Sequence, residues 1–311
     1  MMIRFRHLIV AVTALLAAML MAASSVQAQD NAQQEAARRQ AVLKSLPADA
    51  ARRLFGAVAT PSASHAEAIG FYSKGCVAGA VALPADGPTW QVMRPSRNRA
   101  FGHPDLIGFL QRLATDAPAS GWPGLLVGDI GQPRGGPMLT GHASHQVGLD
   151  ADIWLSPMPA RRLSERERDN ISATNVVAAD WNDIDPRRWT PAHHRLLRLT
   201  ASRPEVARLF VNPAIKKALC REATGDRRWL AKVRPTYGHN YHFHIRLGCP
   251  AGAAICRNQA PPPANDGCGA DLDWWFSDEA RNPKPSKPAP PLKLADLPAQ
   301  CRAVLEAPGT Q

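Results

Sequence analysis

Apolar and polar positions recur along this chain on two periods, and each period predicts an element. Leu106, Ile107, Leu110 and Leu113 fall on one face at helical spacing, which predicts a helix over roughly 104–116. Thr190-Pro191 supplies a cap and a first-turn proline for a helix near 191–202, and Pro213 opens another that ends near Cys220. Residues 29–55, rich in Ala, Gln and Arg, read as helical with few apolar anchors. Strand patterns are shorter. Tyr241 to Leu247 alternates strongly, Leu149 to Trp154 reads as a strand, and Leu125-Leu126-Val127 marks a short buried strand within 124–130. Trp90 to Met93 and the apolar stretch 79–87 add two more, and residues 131–137 (GQPRGGP) form an irregular loop. The mixture predicts an α+β fold, an antiparallel sheet flanked by helices and loops.

Composition adds the domain plan. At 311 residues, 45% hydrophobic and 20% charged, the chain has ample material for a buried core and is not wholly disordered. Residues 1–28 read as a secretory signal: Arg4, Arg6 and His7 precede an apolar run from Leu8 to Ala23, and Val26-Gln27-Ala28 makes a small-residue cleavage site. The run is shorter than the roughly 20 residues a bilayer span needs, so no stable membrane anchor is expected after cleavage. Residues 29–69 are expected to form a helical arm, 70–280 one α+β domain, and 281–311 a proline-rich tail. Six prolines and three lysines over 281–298 make that tail extended.

Export changes the reading of Cys76, Cys220, Cys249, Cys256, Cys268 and Cys301. An even count in an oxidising compartment favours disulfides, and Cys249 and Cys256 are close enough to shut a small loop. A net charge of +11 suits an anionic polymer. Nucleic acid is excluded for an exported protein without a basic-aromatic stripe; cell-wall material, which carries carboxylates, fits better.

The chemistry concentrates in two segments. Five of the ten histidines lie in GHASHQVGLDAD (141–152) and YGHNYHFHIRL (237–247). In a strand, His242 and His244 share one face while Phe243 and Ile245 enter the core, and Asp150 and Asp152 likewise share a face. A loop turning at Gly148 lets His145 and Asp152 converge on one ion. Histidine and carboxylate donors of this kind suit zinc. His65 and His103 lack such context, and His193-His194 reads as a pair on a helix surface.

The pattern H-x6-D with H-x-H resembles the signature of zinc peptidases that include lysostaphin, the D-alanyl-D-alanine peptidases and the sonic hedgehog fold. Longer strings are more specific. Ser96-Arg97-Asn98-Arg99, Gly102-His103-Pro104, Gly128-Asp129-Ile130, the loop 131–137, GHASHQVGLDADIW (141–154) and YGHNYHFHIRLGCP (237–250) resemble the penicillin-insensitive murein endopeptidases.

The resemblance implies roles. His145, Asp152 and His244 match zinc ligands. His242 matches a histidine of proton transfer or transition-state stabilisation, and His239 a further active-site histidine. His142 matches a histidine beside the metal or on a second ion, for which Asp180 and Asp183 are candidate partners. The implied disulfides are Cys76–Cys301, Cys220–Cys268 and Cys249–Cys256. The implied reaction is periplasmic hydrolysis of the D-alanyl–meso-diaminopimelyl cross-link between peptidoglycan stem peptides by metal-activated water. It needs no acyl-serine for a β-lactam to trap. Arg134, Arg246 and Tyr241 are candidate substrate-binding residues, since guanidinium forks pair well with carboxylates. Two rival readings are a related D,D- or L,D-carboxypeptidase and a non-catalytic wall-binding or zinc-binding module.

Overall fold

The structure, a computed structural model, describes residues 34, 37–38, 40–284 and 289–310. The expected signal segment lies outside the described residues. Among those described, no helix is long and apolar enough to cross a membrane. Contacts divide the chain into a first unit, residues 1–45, and a second, residues 46–311. In the first unit, residues 40–45 are helical. The helix expected over 29–55 does not run through: residues 46–50, with Pro47, are non-helical before the next helix begins. Proline lacks the amide proton and clashes with the preceding turn, which explains the break.

In the second unit the strands are β1 (Glu67–Phe71), β2 (Lys74–Ala78), β3 (Val81–Ala82), β4 (Asp86–Gly87), β5 (Trp90–Val92), β6 (Phe101–Gly102), β7 (Leu125–Val127), β8 (Asp150–Trp154), β9 (Val206–Val211), β10 (Val233–Pro235) and β11 (His242–Leu247). The helices are α1 (Ala51–Gly56), α2 (Pro104–Asp116), α3 (Glu165–Asn170), α4 (Pro191–Ala201), α5 (Pro213–Glu222), α6 (Ala270–Asp273), α7 (Asp278–Arg281) and α8 (Gln300–Glu306). The fold is α+β. Its main sheet has seven strands in the order β10-β9-β11-β8-β7-β5-β4, with β1-β2 and β3-β6 as separate pairs. Pairing is mostly antiparallel, but β9-β10 and β5-β7 run parallel.

The centre of the sheet places the chemistry. β8 and β11 pair antiparallel with Phe243 opposite Ile153, His244 opposite Asp152 and Arg246 opposite Asp150. Directly opposed residues share a face. Phe243, Ile245, Ala151 and Ile153 therefore sink together into the core, where they cluster with Leu106 and Leu110 of α2 and with Leu196 and Ile215 of α4 and α5. Burying a side chain of that size contributes about 1.5–3 kcal/mol. A one-residue slip would exchange this core face for the polar one, so the hydrophobic pattern fixes which side chains are presented.

His193 differs from its expected place on a helix surface. It is buried, stacks on Trp189 and donates from Nε2 to the Leu155 carbonyl at 3.0 Å. Its Nδ1 accepts from the Thr190 amide at the start of α4, at 3.1 Å. The Thr190 cap was expected; its reciprocal partner was not. Three disulfides, Cys76–Cys301, Cys220–Cys268 and Cys249–Cys256, match the pairing implied by the resemblance. The first joins β2 to α8, so the chain beyond the proline-rich stretch is tied to the body of the unit.

Candidate metal centre and catalytic cleft

Three side chains converge at the middle of the sheet. His145 arrives on a loop whose backbone is left-handed at His145 (φ 67°) and at Gly148 (φ 70°). A Cβ at Gly148 would lie 2.8 Å from the His103 amide nitrogen, so glycine is required at this turn. Asp152 projects from β8 and His244 from the facing position on β11. His145 Nε2 lies 3.1 Å from His244 Nδ1, His145 Nε2 3.5 Å from Asp152 Oδ1, and His244 Nδ1 3.4 Å from the same oxygen. Ligands about 2.0–2.2 Å from a tetrahedral ion stand roughly 3.3–3.6 Å apart. The three distances are close to the edges of such a tetrahedron.

Proton placement sharpens the fit. His145 Nδ1 donates to the Ile130 carbonyl at 2.6 Å, and His244 Nε2 donates to Asp150 Oδ1 at 2.9 Å. In its neutral form each imidazole then carries its proton on the outer nitrogen and turns a lone pair inward. Two lone pairs and a carboxylate oxygen face one another, and that oxygen, buried Asp152 Oδ1, has no hydrogen-bond partner. A cation resolves this arrangement, and imidazole with carboxylate suits zinc.

The electrostatics agree. Burial alone would raise the Asp152 pKa, but His242, His145 and His142 outweigh it and hold the carboxyl well below the usual range. Burial pushes His244 down to about 4 against the pull of Asp150. For His145 burial acts in the same direction, yet Asp152 and Asp150 overcome it and raise the pKa. The pocket thus draws positive charge, as a proton or as a metal ion. Asp150 holds the assembly from behind. Besides His244, it accepts from the His145 amide at 2.9 Å and from Arg246 Nε at 2.8 Å. A carboxylate behind a ligating histidine fixes its tautomer and orientation.

The remaining candidates flank this triangle. His142, His145 and Asp152 also offer ligand atoms within 4.8 Å of one another. His142 Nε2, however, is 3.0 Å from Asp129 Oδ2 and 3.5 Å from Asp152 Oδ2, on the other side of that carboxylate. The triangle with His244 has edges of 3.1, 3.4 and 3.5 Å. His242 Nε2 lies 3.6 Å from Asp152 Oδ2, its buried Nδ1 has no partner, and burial lowers its pKa despite Asp152. The His239 ring stands 4.8 Å from that of His242, on a left-handed backbone (φ 34°). Burial and the neighbouring His242 push its pKa down to about 4. Both histidines are therefore neutral near pH 7. An open cleft over Asp152 is lined by His142, His242, Tyr241, Trp154, Arg94 and Arg97.

The structure does not gather every predicted residue. Asp183 forms a bidentate pair with Arg221 at 2.8 and 3.1 Å, and Asp180 accepts from the Asn182 amide and side chain. Neither belongs to the His142–His145–Asp152 group. Arg134, expected at the substrate, is instead buried and donates to the carbonyls of Thr60, Val304, Leu305 and Ala307. Arg246, expected there too, pairs with Asp150 and Gln259 and stacks 4.1 Å from the Tyr72 ring. Both guanidinium groups are committed to the protein itself. Tyr241 does line the cleft, 43% exposed. Sequence reasoning missed the roles of Asp129 and Asp150 and the cleft positions of Arg94 and Arg97. Asp129 takes Arg97, Arg99 and His142 on one oxygen. For Asp150 a signal existed: D-x-D at 150–152 faces H-x-H-x-R at 242–246, and period-two spacing pairs the acids with His244 and Arg246.

An α+β sheet with a histidine–aspartate cluster on the floor of an open cleft has the build of a hydrolytic enzyme. The chain belongs to the family described as penicillin-insensitive murein endopeptidase, whose model matches residues 68–306. A penicillin-insensitive murein endopeptidase of Haemophilus influenzae is 48% identical over 247 residues, covering 78% of this chain and 84% of its own. One from Klebsiella pneumoniae subsp. pneumoniae is 46% identical over 251 residues, covering 80% and 89%, and one from Yersinia enterocolitica is 46% identical over 246, covering 79% and 88%.

Proposed function

We propose that this protein is a periplasmic, zinc-dependent murein endopeptidase that hydrolyses D-alanyl–meso-diaminopimelyl cross-links between stem peptides and is insensitive to β-lactams. The observation that carries the reading is the inward-facing triangle of His145 Nε2, His244 Nδ1 and the partnerless Asp152 Oδ1. These three residues would hold one zinc ion. When bound, zinc supplies a Lewis acid that polarises a carbonyl and makes water acidic enough to attack near neutral pH.

The chain's own groups do the rest. His242, neutral and at the cleft side of Asp152, takes up a proton as water attacks and returns it to the leaving amine. His239, also neutral, stands beside it; its Nδ1 proton is donated to the Tyr237 carbonyl at 3.1 Å, so its Nε2 turns a lone pair outward and accepts a hydrogen bond from the attacking water or the leaving amine. Arg97, paired at 3.2 Å with an Asp129 oxygen already served by Arg99 and His142, keeps positive charge at the rim for a stem-peptide carboxylate. Tyr241 packs against the bound peptide. A route without an acyl-serine gives a β-lactam nothing to acylate.

The test uses purified protein and cross-linked muropeptide dimers, with products identified by mass. Dimers become monomers; a chelator stops the reaction, added zinc restores it, and penicillin leaves it unchanged. Release of free D-alanine alone would replace the endopeptidase reading with a carboxypeptidase, and chelator-resistant cleavage would remove zinc from it. Binding without cleavage at full zinc occupancy would make the protein a wall-binding module.

A further inference from the structure

The His239 loop also walls a second cavity. Its sides are the aromatic faces of Trp181, Tyr237, Trp275 and Phe276, and Asp180 and Arg281 stand at its rim. The cavity is about 360 Å³, at the lower end of the range of small-ligand sites. Trp181 and Tyr237 are 45% and 39% exposed, which is unusual for adjacent large apolar groups. Trp181 also occupies a left-handed backbone (φ 60°), a costly conformation for a bulky side chain. Tyr237 is fixed: its hydroxyl donates to the Trp275 carbonyl and its ring lies 5.1 Å from the Trp275 ring. Phe276 is braced by Arg281 at 5.7 Å and Lys217 at 5.1 Å. Tyr237 and Phe276 are thus held in place, while Trp181 and Tyr237 stay exposed.

The rim decides the class of ligand. Asp180 is kept ionised, its carboxyl held below the usual range by hydrogen bonds from Asn182 and by Arg281. One carboxylate against one guanidinium leaves no net charge, which disfavours an anionic or cationic ligand. A lipid tail would set hydrocarbon against both rim charges. A pyranose has an apolar C–H face for the electron-rich side of an aromatic ring, and hydroxyl and acetamido groups for a mixed-charge rim.

The cavity is also continuous with the catalytic loop. Asn212, another of its residues, donates from its backbone to the His239 carbonyl and from its side chain to that of Gly238, both at 3.1 Å. A ligand seated here is coupled to the loop that positions His239.

We propose that this cavity binds an N-acetylhexosamine of the glycan strand that bears the stem peptide, with the pyranose stacked on Trp181 and its polar edge at Asp180 and Arg281. The assignment rests on the murein reading of the neighbouring cleft and extends it from the peptide to the glycan.

The experiment compares cross-linked dimers that retain their disaccharides with the same peptide dimers freed of sugar. Wild-type kcat/KM is about tenfold higher on the sugar-bearing dimers, the ratio for one added stacking contact. Trp181→Ala lowers that value to the sugar-free level and leaves the sugar-free value unchanged; Trp181→Phe retains most of the preference. Equal wild-type values on both substrates, or an equal loss on both in Trp181→Ala, would overturn the glycan site while leaving the endopeptidase reading intact. If wild type cleaves neither dimer, the endopeptidase reading is the one that has failed. Tryptophan fluorescence during titration with chitotetraose then decides: a saturable change abolished by Trp181→Ala supports the site, and no change overturns it.

Discussion

The two inner histidines and the two outer ones stand within a few ångströms of each other, yet the protein treats them oppositely. His145 and His244 each have the outer nitrogen tied to an oxygen, Ile130 O and Asp150 Oδ1, and both are buried. Neither can rotate without losing that bond. His242 has a buried Nδ1 without a partner, and His239 is tied only to a carbonyl of its own loop. Rigid, tautomer-fixed imidazoles suit a ligand; an imidazole with fewer ties suits proton exchange. What separates the pairs is what lies behind each ring rather than sequence spacing, since His242 and His244 share one strand face.

This contrast can be broken by substitution. The largest effect belongs to Asp152→Asn, which removes the charge at nearly constant volume. Zinc content measured by mass spectrometry falls from about one ion per chain to none, and cleavage falls to background. Next is His242→Ala: zinc is retained while kcat drops about 10²–10⁴-fold, the usual worth of a positioned acid–base group. Equal loss of zinc in the two variants would erase the distinction between inner and outer residues. Smaller again is Asp150→Asn. It leaves all three ligands in place but weakens the acceptor behind His244, so zinc affinity in a competition assay falls about 10–100-fold and excess zinc restores turnover. Unchanged affinity would mean that Asp150 merely neutralises Arg246.

Much of this arrangement was legible from residue order, for a definite reason. Strands β8 and β11 are buried on both faces, and strict alternation told which residues share a face. The helices α2, α4 and α5 were equally visible, because each begins at a proline and carries an apolar stripe. Strand β9 and the hairpin β1-β2 were not anticipated. The identity of β9 depends on partners distant in sequence, as it joins β11 on one side and β10 on the other. Asp180 and Asp183 illustrate a second limit. Acidic residues near a candidate site look like ligands in a sequence, but their partners here, Asn182 and Arg221, are set by the folded loop and by α5.

The two arginines expected at the substrate carry the comparison outside the site. Both are buried, and each serves as an anchor. Arg246 holds Asp150 and through it His145 and His244. Arg134 gathers the carbonyls of Val304, Leu305 and Ala307, at or just beyond the end of α8, where a helix leaves its last carbonyls without partners. A cation there also meets the negative end of the helix dipole. Arg134→Ala strips a charged donor from four buried or half-buried carbonyls, and unfolding free energy falls by about 2–4 kcal/mol. The Cys76–Cys301 bridge limits the damage, because it holds α8 against β2 whatever happens to its end. Zinc affinity and the KM for cross-linked dimers stay at wild-type values below the lowered melting temperature. A raised KM with unchanged stability would return Arg134 to the substrate. The predicted loss of stability with intact kinetics would establish that the fold uses this buried guanidinium to hold its C-terminal helix.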